Sequence, residues 1–488
     1  MRQEFVVGFC VLLVVVVGYP VVAMSSPWVH HDLEVELEPA NRRMVVTDRV
    51  TLPGRALSPA GTSLEFYLHS GMGATSPTPG VVLSHEDFLS RSSSDEHPPV
   101  KSYRVSMSRG QRTFELHYEG QIHHSIEAYG EDYARSYGQT RGIISSEGVF
   151  LSPGSGWYPV IGNDPITFTL DLKLPRRWAG VSQGKRTQQT KEENLSHAHW
   201  ESPEPQEGIY LVAGQFHEYA RQVKGDITAM VFLRAPDAKL AEKYLAATDQ
   251  YLTMYGDLIG PYPYKKFALV ENFWETGYGM PSFTLLGPKV VRFPFIIYSS
   301  YPHEILHNWW ANGVYVDFDS GNWSEGLTAY LSDHLVQEQR GDGAGHRQRS
   351  LQKYTDYVTK EKDVPLKNFR SRHGSASQAI GYTKMMMFCH MLRLDLGEQM
   401  FIQALQKFYH DNLFRVASFD DLNKAFEAVS KTELGAEFSQ WVERPGAPEL
   451  RVGDAGVVRR GKEWLLKLRL EQVQHEPPYR LRIPLAVT

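Results

Sequence analysis

Two textures divide the chain. Between about residues 28 and 220, short runs alternate apolar and polar positions, as at 33–37, 43–47, 113–118 and 166–172. Successive side chains of a strand point to opposite faces, so these runs predict strands with one face against a core. Clusters of glycine, proline and serine separate them, as at 92–99, and the polar stretch 186–208 predicts a long loop. An antiparallel β domain is expected over residues 25–222.

Near residue 225 the pattern changes. Residues 227–233 and 267–270 are strand-like, but 235–255 carries helical spacing and stops at Gly256. Helical segments then dominate, at 299–312, 324–339, 348–360, 379–394, 398–412 and 419–429. Strand-like texture returns at 463–470 and 479–488. The expected fold class is multidomain α+β. An N-terminal antiparallel β domain precedes a mostly helical domain over 223–447, and residues 448–488 start a C-terminal β domain. That last segment reads as a short β domain or as the beginning of a longer one.

Composition adds two things. With 42% hydrophobic and 22% charged residues the chain of 488 is ordinary globular protein, and a net charge of −5 without a long basic run argues against a nucleic-acid partner. The N-terminus is different. Arg2 precedes an almost wholly apolar run over 5–17, which Gly18 and Pro20 interrupt before Val21-Val22-Ala23. Residues 1–24 read as a secretory signal, so the protein is expected to be exported, periplasmic or extracellular. The alternative is an uncleaved anchor over 5–23, the one membrane association expected. Of two cysteines, Cys10 lies in this run and Cys389 stands alone. A mature chain without the signal has no intramolecular disulfide, and its stability must come from its cores.

The chemistry is concentrated at His303-Glu304-Ile305-Leu306-His307. On a helix, positions four apart lie on one face, so His303 and His307 can grip one ion. Glu304 sits about 100° around the helix, beside the ion, where it can take a proton from water. Ser299 and Ser300 are candidate caps, Pro302 suits the first turn, and Gly313 is placed to end the helix. With 19 histidines, such a pattern arises by accident in about one chain in twenty, so context must carry it. Glu325 supplies that context: it opens another helical segment eighteen positions past His307. Two imidazoles and a carboxylate suit one Zn²⁺ per chain. The pairs His30-His31 and His123-His124, and His197 with His199, lack this spacing and read as surface residues.

Three motifs then carry a family resemblance. The run from His303 to Asn312, HEILHNWWAN, resembles the H-E-x-x-H-x-W-F-G-N of the aminopeptidase-N-like gluzincins. Residues 322–330, NWSEGLTAY, resemble that family's W-L-N-E-G-F-A-x-Y, and Gly260-Pro261-Tyr262-Pro263-Tyr264 resembles its F-G-P-Y-P-Y. The resemblance covers about residues 225–447. It implies a thermolysin-like catalytic domain, zinc held by His303, His307 and Glu325, Glu304 as catalytic base, and a peptide or protein substrate. The gap from His307 to Glu325 is one residue shorter than is usual in the family. The family also uses a tyrosine in a Y-x-K-G-like helix start. Gly381-Tyr382-Thr383-Lys384-Met385 resembles it, with Met385 where glycine is usual, which makes Tyr382 the candidate oxyanion donor.

One motif is broken. Family aminopeptidases carry G-A-M-E-N, whose glutamate holds the substrate's free amine. The corresponding stretch here is Gly277-Tyr278-Gly279-Met280-Pro281-Ser282-Phe283, with Pro281 in the place of that glutamate. Gly279 and Met280 remain the candidate substrate-contacting residues, and the strand around Phe283 can pair with a peptide backbone. Glu271 and Glu275 are upstream acids that could replace the anchor or simply sit at a strand end. Three readings follow: an aminopeptidase-like zinc peptidase, a zinc peptidase that needs no free amine, including an endopeptidase, and a non-catalytic binding relative. Glu304 and Tyr382 both being present argues against the third.

Overall fold

The computed structural model describes residues 27–53, 63–88, 98–128, 138–474 and 476–483. The expected signal or anchor, Cys10 and residues 484–488 lie outside them. Among the described residues no helix is long and apolar enough to cross a membrane.

The N-terminal region is built on a seven-stranded sheet. Its strands are β1 (Val29–Glu38), β2 (Arg43–Thr51), β3 (Met72–Thr75), β4 (Thr113–Gln121), β5 (Ile166–Pro175), β6 (Lys185–Lys191) and β7 (Leu195–Gln206), in the spatial order β6-β7-β5-β1-β2-β4-β3. Neighbours are antiparallel except β1 and β5, which run parallel from Val29 beside Ile166 to Glu36 beside Lys173, so the expected antiparallel domain holds one parallel pair. The stretch 186–208 is not a loop. It forms the β6–β7 hairpin, in which Ser196, Ala198, Trp200 and Ser202 alternate inward while polar residues face out. The early histidines are also not all surface residues. His31 is fully buried with Nδ1 2.8 Å from Asp48, and His124 meets His69 at 2.8 Å between Nε2 atoms.

A second, five-stranded sheet begins at β8 (His217–Val223) and continues through β9 (Ile227–Leu233), β10 (Lys266–Glu271), β11 (Gly277–Met280) and β12 (Phe283–Leu286). The order is β8-β9-β10-β12-β11, with β9, β10 and β12 parallel and β11 on the edge. The near-continuous apolar runs of β9 and β10 have a simple cause: both faces are covered. Ala229, Val231, Leu233, Phe267 and Leu269 join the core under the helices, while Met230, Phe232, Ala268 and Val270 join the core of the N-terminal region.

The α-helices of five residues or more are α1 (Ala238–Leu258), α2 (Ser300–Leu306), α3 (Ser324–Ala329), α4 (Leu335–Gln339), α5 (Gly343–Tyr357), α6 (Met385–Leu396), α7 (Glu398–Asn412) and α8 (Phe419–Ser430) among the described residues. Asp237 caps α1 by accepting from the Leu240 amide at 2.9 Å, and Ser418 with Asp421 caps α8 reciprocally. The expected helix over 299–312 is shorter, since α2 stops at Leu306 instead of reaching Gly313. Beyond it the backbone turns tightly, with Ala311 at φ 84°, and this drives Trp309 and Trp310 into the core. Ser299 does not cap α2; its hydroxyl donates to the Phe295 carbonyl at 3.0 Å.

At the C-terminal end, Leu450–Arg460 pairs with Glu463–Gln472 as an antiparallel hairpin. The expected strand from Tyr479 is absent over the described residues 479–483. Tyr479 is buried instead against Trp441, 5.1 Å between ring centroids, so this apolar run packs on the helical region.

Candidate metal centre

Helix α2 presents His303 and His307 at its C-terminal end, their rings 4.8 Å apart and nearly perpendicular. The Nε2 atoms lie 3.4 and 3.5 Å from Oε2 of Glu325, which projects from the first turn of α3. One donor atom from each of the three falls within 4.8 Å of the others. The outer nitrogens are already engaged: His303 Nδ1 is 3.4 Å from Asp333, and His307 Nδ1 is 3.2 Å from the Trp310 carbonyl. This fixes both rings with Nε2 facing inward, the arrangement a metal-ligating histidine needs. The Glu325 carboxyl is enclosed, which opposes its charge, yet His307 and His303 hold it well below the usual carboxylate range. The set therefore offers two imidazole nitrogens and a carboxylate oxygen, and its chemistry fits zinc.

Asp333 was not foreseen. It stands in the π-helical turn Tyr330–His334 that joins α3 to α4. Replacing it with asparagine keeps the shape but removes the charge behind His303. Asp333→Asn is expected to weaken zinc binding about ten- to a hundredfold, read by competition against a chelator of known affinity.

Glu304 faces the same space from the next position on α2. Burial raises its carboxyl above the ordinary range, while the neighbouring imidazoles of His303 and His307 oppose the shift. Edge strand β11 comes so close that a Cβ on Gly279 would lie 2.6 Å from the Glu304 carboxylate, so any side chain there would push that carboxylate aside. Tyr382 lies across the centre, its ring stacked on His303 at 5.9 Å and 10°. It too sits in a π-helical turn, Ala379–Lys384, ahead of α6. Burial and then the Glu325 carboxylate hold its phenol well above the usual value, so it stays protonated and can donate.

A buried network supports the helix from behind. The Asn308 side chain donates to Ile305 O at 2.9 Å and accepts from the Ser282 amide at 2.7 Å. Lys266 on β10 donates to the Ser282 carbonyl at 3.0 Å, so the β11–β12 turn, where Ser282 has φ 66°, is held by β10 as well as by Asn308. Tyr264 and Trp309 bind the carbonyls of Asn312 and Gly260 at 2.5 and 2.9 Å, holding the 260–264 segment against the same helix.

His303, Glu304, His307, Glu325, Asp333 and Tyr382 line a cavity of about 670 Å³. Gly279 is on its wall, with Gly277 and Tyr278. Met280 is not, being buried in the N-terminal core. Neither Glu271 nor Glu275 reaches the cavity. Glu271 is buried and bound to Arg292 at 2.6 Å and to the Arg234 amide at 2.8 Å, and Glu275 accepts from the Lys289 amide at 3.0 Å.

Comparison with known proteins agrees with this geometry. Residues 298–441 match the Peptidase family M1 domain. Those residues thus carry an M1 peptidase domain. Among similar proteins, aminopeptidase RNPEPL1 of Mus musculus is 23% identical over 339 residues, 64% of this chain and 46% of the relative. Aminopeptidase N of Haemophilus influenzae is 28% identical over 166 residues, 31% of this chain and 18% of the relative. The chain thus spans about half the length, or less, of the curated relatives it matches. A solved M1 zinc metallopeptidase from Deinococcus radiodurans shares the fold, with TM-score 0.61 and 19% identity over 86% of this chain and 95% of that one. A mutant of that protein bound to a Tyr-Ser-Ala substrate gives TM-score 0.63 and 17% identity, over 87% of this chain and 96% of the other.

Proposed function

We propose that the chain is a zinc-dependent metallopeptidase that hydrolyses peptide bonds. The observation that carries this reading is the convergence of the three-donor set, Glu304 and Tyr382 on one cavity. His303, His307 and Glu325 would hold the ion. When bound there, zinc lowers the pKa of water and polarises a carbonyl. Glu304 takes a proton from the attacking water and returns it to the leaving amine, a role suited to a carboxyl whose pKa burial has raised. The Tyr382 hydroxyl donates to the oxyanion that develops on the substrate carbonyl. The free edge of β11 pairs with the extended substrate backbone.

Aminopeptidase-like action is the family default, and its relatives carry that name. A second reading, cleavage without need of a free amine, has its own support. Pro281 stands in place of the amine-binding glutamate, and Glu271 and Glu275 are engaged elsewhere. One experiment covers both. Peptides in free-amine and N-acetylated pairs are incubated with the full chain before chelation, after it, and after zinc is restored. Cleavage that disappears with the metal and returns with zinc supports the peptidase. Cleavage of the acetylated members supports the amine-independent form, and strict need for a free amine excludes it. Bound zinc with no cleavage of any peptide would leave a non-catalytic relative.

A further inference from the structure

We propose that Tyr298, Phe295 and Phe293 form an aromatic rail that leads out of the cavity and binds an aromatic side chain of an extended peptide, at a distance from the bond to be cleaved. This rests on the peptidase reading above and names a substrate class for that same site: peptides long enough to reach the rail and aromatic where they meet it.

The segment between β12 and α2 divides its apolar residues in two. Val290, Val291 and Ile296 are buried in the core under the helices. Phe293, Phe295 and Tyr298 stay outside it, 45%, 58% and 45% exposed. The two phenylalanine rings stack face to face across Pro294, 5.4 Å between centroids and 9° from parallel. Phe295 and Tyr298 are three positions apart in the short 3₁₀ turn Ile296–Tyr298 and the residue before it, where the Tyr298 amide donates to the Phe295 carbonyl at 2.9 Å. Side chains three apart in such a turn eclipse, so both rings leave on the same side. Tyr298 is itself part of the cavity wall. The three rings therefore make one row whose inner end is in the cavity.

Exposed apolar side chains scattered singly are ordinary, whereas a contiguous group marks a contact site. What this group contacts follows from its inner end. A peptide that lies in the cavity and continues past Tyr298 comes next to Phe295 and Phe293, so the substrate itself is the occupant. The row is also held in place before anything binds. Tyr244 and Tyr251 of α1 donate to the carbonyls of Val291 and Ile297, both at 2.8 Å, which ties the segment to that helix on either side of the two phenylalanines. Pro294 stiffens the backbone between them. Arg340 stands over the Tyr298 ring, 4.5 Å from its centroid, a cation–π contact that steadies the ring. A surface already ordered loses little conformational freedom when a peptide is laid on it.

The test uses zinc-loaded full chain and polar peptides of about ten residues, roughly 33 Å long when extended. One Phe is moved through successive positions on either side of the cleaved bond, with Ser as the reference at each. At one or two positions away from the bond, Phe should lower KM about tenfold with kcat within about twofold. The double variant Phe293→Ser with Phe295→Ser should remove that preference and leave peptides too short to reach the rail within about twofold of wild type, and Phe295→Leu should keep part of it. Both phenylalanines are exposed, so these changes leave the core intact. Calorimetric binding of the same peptides to Glu304→Gln, with and without the double change, gives a readout free of turnover. Equal KM and equal affinity for Phe and Ser at every position, or a preference that survives the double change, would overturn the rail and leave the peptidase standing. Self-association of the chain, or retention on phosphatidylcholine vesicles, that the double change abolishes without altering any peptide would assign the rings to another partner and also overturn it. Absence of cleavage would count against the peptidase, and the binding preference would still decide the rail.

Discussion

Glu304→Gln is expected to lower peptide hydrolysis by about 10²- to 10⁴-fold while zinc content is unchanged. The amide has the size of the carboxyl, so it fits the space beside Gly279, but it cannot accept and release a proton. The ligands are untouched, because the three-donor set of His303, His307 and Glu325 does not include Glu304. Zinc per chain by elemental analysis, alongside kcat on one peptide, checks both halves. Full activity in the glutamine variant would sink the mechanism. Zinc loss would show instead that Glu304 helps to build the centre.

Tyr382→Phe should lower kcat by about 10²- to 10³-fold with KM little changed, as for removal of one oxyanion donor. The ring can stay where it is, stacked on His303 and packed near Phe369 at 6.2 Å, so folding and metal content are expected to persist. The hydroxyl works only where charge develops on the carbonyl oxygen, hence the effect on kcat rather than on binding. A rise in KM with kcat preserved would make Tyr382 a substrate-positioning group instead.

Much of the fold was legible because its causes are local. Period-two runs became β1, β2, β4 and β5, and the helix expected at 398–412 is α7 with the same ends. The ligands were legible because two histidines four apart on a helix share a face whatever surrounds them. The misses have physical reasons of their own. The β6–β7 hairpin looked like a loop because its outward face is polar and its inward face includes serines, with Trp200 the one large apolar residue turned in. Asp333 was hidden by geometry. On a straight α-helix eight residues advance about 80° beyond two turns, which takes a residue off the face of Glu325. The π-helical turn Tyr330–His334 absorbs an extra residue and brings Asp333 back to His303.

The two-faced strands β9 and β10 make the helical region and the β domain share a party wall. Side chains only one residue apart, Val231 and Phe232, serve different cores. Neither region owns a closed interior. Cutting the chain between them would strip Met230, Phe232, Ala268 and Val270 of their cover and turn an internal partition into an exposed apolar sheet. The N-terminal half is thus part of the protein's foundations rather than an attachment to it, and the seat of helix α2 is only as firm as that shared partition.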